Sequence, residues 1–180
     1  MKIGYKKGQW KMIKIIEGNL FCSDARIIAH QVNCQGKMDS GIALQIRCKY
    51  PNVYNEYVKA CKDCSEDMLG KIQIVPVNSQ WNGYDCGSIA IPHNERFVCN
   101  IFAQNYYGYD GKMYTDINAL EECFTKIWWL IHEKNNNFMS KIAMPYKIGC
   151  CRGGADWNTV YGIIENIFSD CEVELWKLNK

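Results

Sequence analysis

Two stretches of the chain hold residue types suited to binding phosphate. The first, Asn33-Cys34-Gln35-Gly36-Lys37-Met38-Asp39-Ser40-Gly41, has glycines and small polar residues running directly into a helical pattern. Backbone N–H groups at a helix start have no intrahelical partner and point outward, so such a loop can cradle an anion, or it can be an ordinary strand-to-helix connection. It carries neither G-x-x-x-x-G-K-[ST] nor G-x-G-x-x-G. The second, Ile148-Gly149-Cys150-Cys151-Arg152-Gly153-Gly154-Ala155-Asp156-Trp157, has three glycines within six residues. Glycine permits positive φ and lets a backbone approach a ligand closely. Two such loops on one sheet edge suit a diphosphate better than a single phosphate. Arg152 adds charge or is solvated, and Asp156 stands where an N-cap falls.

Other reactive groups are sparse. His30 lies at the end of an apolar run, where a histidine serves either proton transfer or packing; its ordinary pKa near 6.5 suits the former. His93 and His132 lie outside both loops. Cys61 and Cys64 form a C-x-x-C without a second pair of ligands at suitable spacing, so buried or surface thiols are expected there. No Asp/Glu/His cluster at metal spacing is present, and no metal or cofactor is expected.

Both loops need a scaffold, and the hydrophobic pattern supplies one. Trp10–Glu17 alternates as a half-buried strand does, and Arg26–Val32 reads as a strand covered on both faces. Gly41 to about Cys64 has helical spacing interrupted at Pro51, which has no N–H to donate. Lys71–Val77, Ser88–Ile91, Phe97–Phe102, Lys141–Pro145 and Glu172–Leu178 read as strands. Asp116–Glu133 and Trp157–Phe168 read as helices with one apolar stripe each. Asn78–Gly87 reads as a hairpin loop and Asn135–Asn137 as a helix-to-strand connection. Strands alternating with helices predict a layered α/β domain with a largely parallel sheet, and the strand carboxyl ends place both loops where ligands collect.

Length and composition set bounds. The 180 residues suit one domain over 1–180, and 48% hydrophobic with 22% charged residues is ordinary globular composition. A net charge of +2 gives no support for a nucleic-acid partner. No apolar run approaches a membrane span, and the Lys-rich start lacks the apolar core of a signal peptide, so no membrane partner and a cytoplasmic location are expected. Eleven cysteines, an odd number, are read as reduced thiols. A monomer is expected.

The order GN-LF, AHQVNCQG, GIALQIRCKYP, MLGK, NIFAQ and MPYKIGCCRGGADW resembles the macrodomains, across nearly the whole chain from Gly18 to Leu178. Within them it most resembles the fungal and phage-type ADP-ribose 1″-phosphate phosphatases and related ADP-ribosyl hydrolases. The resemblance implies a three-layer α/β/α fold with a mixed, largely parallel sheet, and ADP-ribose or ADP-ribose 1″-phosphate as ligand. It implies that Asn19, with Leu20 beside it, meets the adenine, Asn19 standing where the family has an aspartate. It places Asn33 at the distal ribose, and Gln35, Gly36, Ser40, Gly41, Ile42 and Ala43 at the first diphosphate loop. Pro145, Ile148, Gly149, Cys150, Cys151, Arg152, Gly153 and Gly154 form the second. Trp176 either flanks the adenine or packs the sheet edge. His30 matches the histidine the phosphatase branch uses in catalysis, with Asp156 as orienter or base and water as nucleophile. The alternatives are an ADP-ribosyl hydrolase acting on modified protein, nucleic acid or a signalling nucleotide, and a binding module without turnover. A catalytic aspartate used by one hydrolase branch falls at Gly153, its lysine is missing from FVCNIFAQ, and Ile42-Ala43-Leu44 lacks the aspartate of another.

Overall fold

The computed structural model describes residues 13–63, 68–77, 95–132 and 141–178. In chain order these are β1 (Ile13–Glu17), a 3-10 turn (Leu20–Cys22), β2 (Ile27–Asn33), α1 (Gly41–Lys49), α2 (Pro51–Asp63) and β3 (Ile72–Pro76). Then follow β4 (Phe97–Gln104), α3 (Ile117–His132), β5 (Lys141–Pro145), α4 (Trp157–Ile167) and β6 (Glu172–Lys177). The Ser88–Ile91 strand, the Asn78–Gly87 and Asn135–Asn137 connections, Trp10, Cys64 and His93 lie outside the described residues.

The sheet order is β1-β6-β5-β2-β4-β3, parallel throughout except for β3, which runs antiparallel to β4. The mixed, largely parallel sheet of the sequence reading is therefore present. Continuous apolar runs explain the centre: β2 and β4 are buried along nearly their whole length, as strands covered on both faces must be. One face takes α3 and α4, whose Leu120, Phe124, Ile127, Val160 and Ile164 pack on Ile27, Ala29, Cys99 and Ile101. The other takes α1 and α2: Tyr57 and Cys61 pack with Val32 and Phe102, and Ile46 and Val53 with Val98. Period-2 alternation assigns odd positions of β2 to the α3/α4 face and even positions to the α1/α2 face.

Element boundaries follow local chemistry. The expected break in the first helical stretch falls at Tyr50, and Pro51 opens α2, where its missing N–H costs nothing. Asp116 precedes α3 and accepts from Ala119 N at 2.9 Å. The described cysteines are all free of disulfides, and Cys34, Cys61, Cys99, Cys123 and Cys171 are core residues. No helix among the described residues is long and apolar enough to cross a membrane.

The connection leaving β2 runs through α1 and α2 to β3 at one edge, whereas the one leaving β5 runs through α4 to β6 towards the other. Neighbouring parallel strands whose connections diverge open a crevice at their carboxyl ends. That crevice lies between the two glycine-bearing loops.

Candidate functional site

Three loops meet at this edge, one after each of the adjacent strands β5, β2 and β4. They enclose a cavity of ≈ 340 Å³. Of the residues expected from sequence, Asn33, Ser40, Gly41, Ile42 and Ala43 line it from the first loop. Pro145, Ile148, Gly149, Cys151, Arg152 and Gly153 line it from the second.

The first loop is braced by Asn33. Its Oδ1 accepts from Gln35 N at 2.9 Å, Lys37 N at 3.3 Å and the Tyr57 hydroxyl at 2.9 Å, while Nδ2 donates to the Lys37 carbonyl at 2.7 Å. Burial of Tyr57 raises its pKa far above the ordinary phenol value, so it remains a donor. Asn33 thus shapes the loop, with one amide hydrogen left for a ligand. Gln35 and Gly36 form the turn and do not line the cavity; Gly36 has φ 71°. Ser40 makes no side-chain cap to α1, so the first N–H groups of that helix are open to the cavity. Gly41 stands at φ 57°, which a side chain would strain.

The second loop is held by a small polar cluster that the sequence reading missed. Gln31 Nε2 donates to Gln104 Oε1 at 2.6 Å and Thr115 Oγ1 at 2.8 Å. Thr115 Oγ1 donates in turn to the Gly149 carbonyl at 2.8 Å. The Gly153 carbonyl accepts from Tyr114 N at 2.8 Å and Thr115 N at 2.9 Å. The glycines follow from this packing: a Cβ on Gly149 would sit 2.7 Å from Gln31 Oε1, and one on Gly153 would run into Thr115 Oγ1 and the Gly149 carbonyl. Lys147, with φ 59°, turns the chain into the loop. Cys150 Sγ lies 3.4 Å from the Ile148 carbonyl, and neither Cys150 nor Gly154 lines the cavity.

The third loop, after β4, supplies Gln104, Tyr107, Gly108 and Tyr109. The Arg152 guanidinium sits 4.0 Å above the Tyr109 ring, closing a bridge between the second and third loops. The rule that directed attention to loops following buried strands covers NYYGYDG as well, and its tyrosines are the signal that could have found it.

The structure places both catalytic candidates away from the cavity. His30 lies outside the cavity and is 0% exposed. It is an even residue of β2, so it faces α1 and α2 beneath Val32; Gln31, Val32 and Asn33, nearer the strand's carboxyl end, are the β2 residues that line the cavity. Its Nε2 pairs with Asn100 Oδ1 at 2.7 Å, and Asn100 Nδ2 donates to Gln73 Oε1 at 2.9 Å. Burial pushes its pKa down to about 4, so it is a neutral imidazole at physiological pH. Asp156 is the N-cap of α4, accepting from Thr159 N at 2.8 Å and Thr159 Oγ1 at 3.0 Å, which lowers its pKa. It too lies outside the cavity.

The adenine-side expectations also lie beyond the cavity. Asn19 uses its side-chain oxygen to cap the 3-10 turn, accepting from Phe21 N at 3.0 Å. Trp176 donates to Glu174 at 2.9 Å and its ring lies against Gly18. Trp176 and Ile42 pack against one small cluster that contains Leu20, so this region adjoins the cavity wall through Ile42.

Lys37, Lys147 and Arg152 give the cavity three cations. Among the described residues its sole carboxylate is Asp39, which is paired with Arg47. The arrangement favours a multiply charged anion.

No protein-family model matches the chain. Over 166 residues, 92% of its length, the chain is 28% identical to the DNA ADP-ribosyl glycohydrolase of Thermus aquaticus. It is 31% identical over 106 residues to the ADP-ribose 1″-phosphate phosphatase of Debaryomyces hansenii, covering 54% of this chain. The matches span 40% and 56% of these curated relatives' own lengths. The solved macrodomain of Mycobacterium tuberculosis DarG superposes with a TM-score of 0.68 at 25% identity, over 94% of this chain and 98% of that one.

Proposed function

We propose that this chain, which has the macrodomain fold, holds an ADP-ribose unit in the three-loop cleft and removes the phosphate of ADP-ribose 1″-phosphate. The charge of the cleft supports this reading: Lys37, Lys147 and Arg152 line it beside the open N-terminus of α1, against one carboxylate already paired with Arg47. The backbone donors and cations bind the diphosphate. The same cations stabilise charge on the terminal phosphate as water adds to phosphorus and the bond to the ribose C1″ oxygen breaks. Phosphate and ADP-ribose are released. His30, fully buried and outside the cleft, is given no role in this reading.

Glycosidic cleavage makes the opposite demand. Its transition state carries positive charge on the sugar, which carboxylates stabilise. The described cleft residues offer no unpaired carboxylate. One observation favours this second reading nonetheless: similarity to a DNA ADP-ribosyl glycohydrolase runs over 92% of the chain.

Phosphate release from ADP-ribose 1″-phosphate, assayed beside ADP-ribose release from ADP-ribosylated DNA, separates the two. The expected result is phosphate release alone, with kcat/KM lowered about tenfold or more in Arg152→Ala, the loss of roughly one charge-assisted contact. ADP-ribose release without phosphate release would establish the glycohydrolase. Neither activity, with ADP-ribose still bound, would leave a binding module.

A further inference from the structure

At the end of α3 and the start of β6, a ring nitrogen, a carboxylate and a thiol converge: the ligand atoms of His132, Asp170 and Cys171 all lie within 4.8 Å of one another. His132 Nε2 is 3.1 Å from Asp170 Oδ2, and Cys171 Sγ is 3.5 Å from Asp170 Oδ1. His132 Nδ1 lies 2.8 Å from the Trp128 carbonyl. That carbonyl only accepts, so Nδ1 donates to it and Nε2 is the ring nitrogen that faces the carboxylate.

A proton would satisfy the His–Asp pair alone. The thiol at the same carboxylate and the support around the cluster point to a metal. Histidine ligands of metals characteristically give their second nitrogen to a carbonyl, and ligating carboxylates are themselves hydrogen-bonded. Both features are present, from one residue: Trp128 supplies the carbonyl, and its indole N–H donates to Asp170 Oδ1 at 2.9 Å. The Trp128 ring also stacks on the imidazole at 4.1 Å, fixing its plane. We propose that His132 Nε2, Asp170 and Cys171 Sγ bind a zinc ion, with water in the fourth position.

The donor set selects the metal. Nitrogen, oxygen and sulfur together suit zinc, whereas magnesium and calcium take oxygen. Zinc bonds of about 2.0–2.3 Å require the three atoms to draw slightly closer than they stand. On binding, the thiol proton passes to solvent and a sulfur–zinc bond takes its place. The site is structural. It lies at the far end of the 16-residue α3 from the cleft, about 24 Å at ~1.5 Å per residue, and ties α3 to the turn before β6. The separation of 38 positions from His132 to Asp170 explains why no spacing motif announces it.

Titration of reduced, metal-free protein with Co²⁺ tests the proposal. The parent should develop the near-ultraviolet thiolate-to-cobalt band, saturate at one equivalent and lose the band to Zn²⁺, which should also raise the Tm. Cys171→Ser and His132→Gln should each lose the band and weaken zinc binding at least tenfold while retaining ADP-ribose binding. His132 is at the surface, so its variant decides the matter even where Cys171→Ser fails to fold. Absence of the band in the parent, or a band that persists in His132→Gln, overturns the site.

Discussion

A Gly153→Val protein will bind ADP-ribose at least a hundredfold more weakly than the parent while keeping its secondary structure. The added Cβ would meet Thr115 Oγ1 and the Gly149 carbonyl, and it would lie 3.0 Å from Gln31 Nε2. None of these can withdraw cheaply. Thr115 Oγ1 is committed to the Gly149 carbonyl and accepts from Gln31, and the Gly149 carbonyl belongs to the loop itself. The second loop must therefore lift from the third, breaking the bonds from Tyr114 N and Thr115 N to the Gly153 carbonyl. A hundredfold loss corresponds to about 2.7 kcal/mol, the scale of two such bonds and a displaced anion contact. Gly162→Ala is the control: it lies in α4 with nothing within 4 Å of the new Cβ, and alanine favours a helix. Calorimetry with ADP-ribose reads both variants. A Gly153→Val protein that binds within threefold of the parent would place the ligand elsewhere.

Acid will destabilise the fold through His30. Burial depresses its pKa to about 4 from 6.5. The unfolded chain thus takes up a proton that the folded chain refuses, and stability falls with pH. The contribution is intact above pH 6.5 and is lost as pH falls through about 4. Between pH 7 and pH 5 the cost is about 2 kcal/mol, from 1.36 kcal/mol per pKa unit. Urea unfolding of the parent and of His30→Gln at both pH values isolates it: the parent should lose about 2 kcal/mol more than the variant. His30→Ala should itself cost about 2–4 kcal/mol, since it opens a cavity and strands the buried Asn100 oxygen. The activity of the folded fraction should stay near the parent's. A stable His30→Ala protein with a hundredfold lower rate would return this residue to the mechanism.

The layered architecture was legible because its signals are local. Buried parallel strands read as continuous apolar runs, Pro51 marks a helix start by its missing N–H, and glycine clusters mark loops that need positive φ or close contact. Side-chain direction was legible in principle: alternation along β2 already set His30 apart from Gln31 and Asn33. The motif match drew attention to the histidine, whereas Gln31, Val32 and Asn33, nearer the end of β2, are the residues that reach the cavity. Contacts between sequence-distant groups left no such trace. Gln31, Gln104 and Thr115 come from β2, the end of β4 and the approach to α3, and only the sheet order brings them together. The N-cap role of Asp156 was visible from its place before a helical pattern. Its distance from the cleft depended on how the second loop folds over Thr115.

Calorimetric titration of the parent with ADP-ribose, repeated at rising salt, tests the central claim most directly. One ADP-ribose should bind per chain, and the affinity should fall as salt screens Lys37, Lys147 and Arg152 at the exposed mouth of the cleft. No binding at millimolar ADP-ribose, or an affinity indifferent to salt, would contradict a cleft that holds the ligand by its diphosphate.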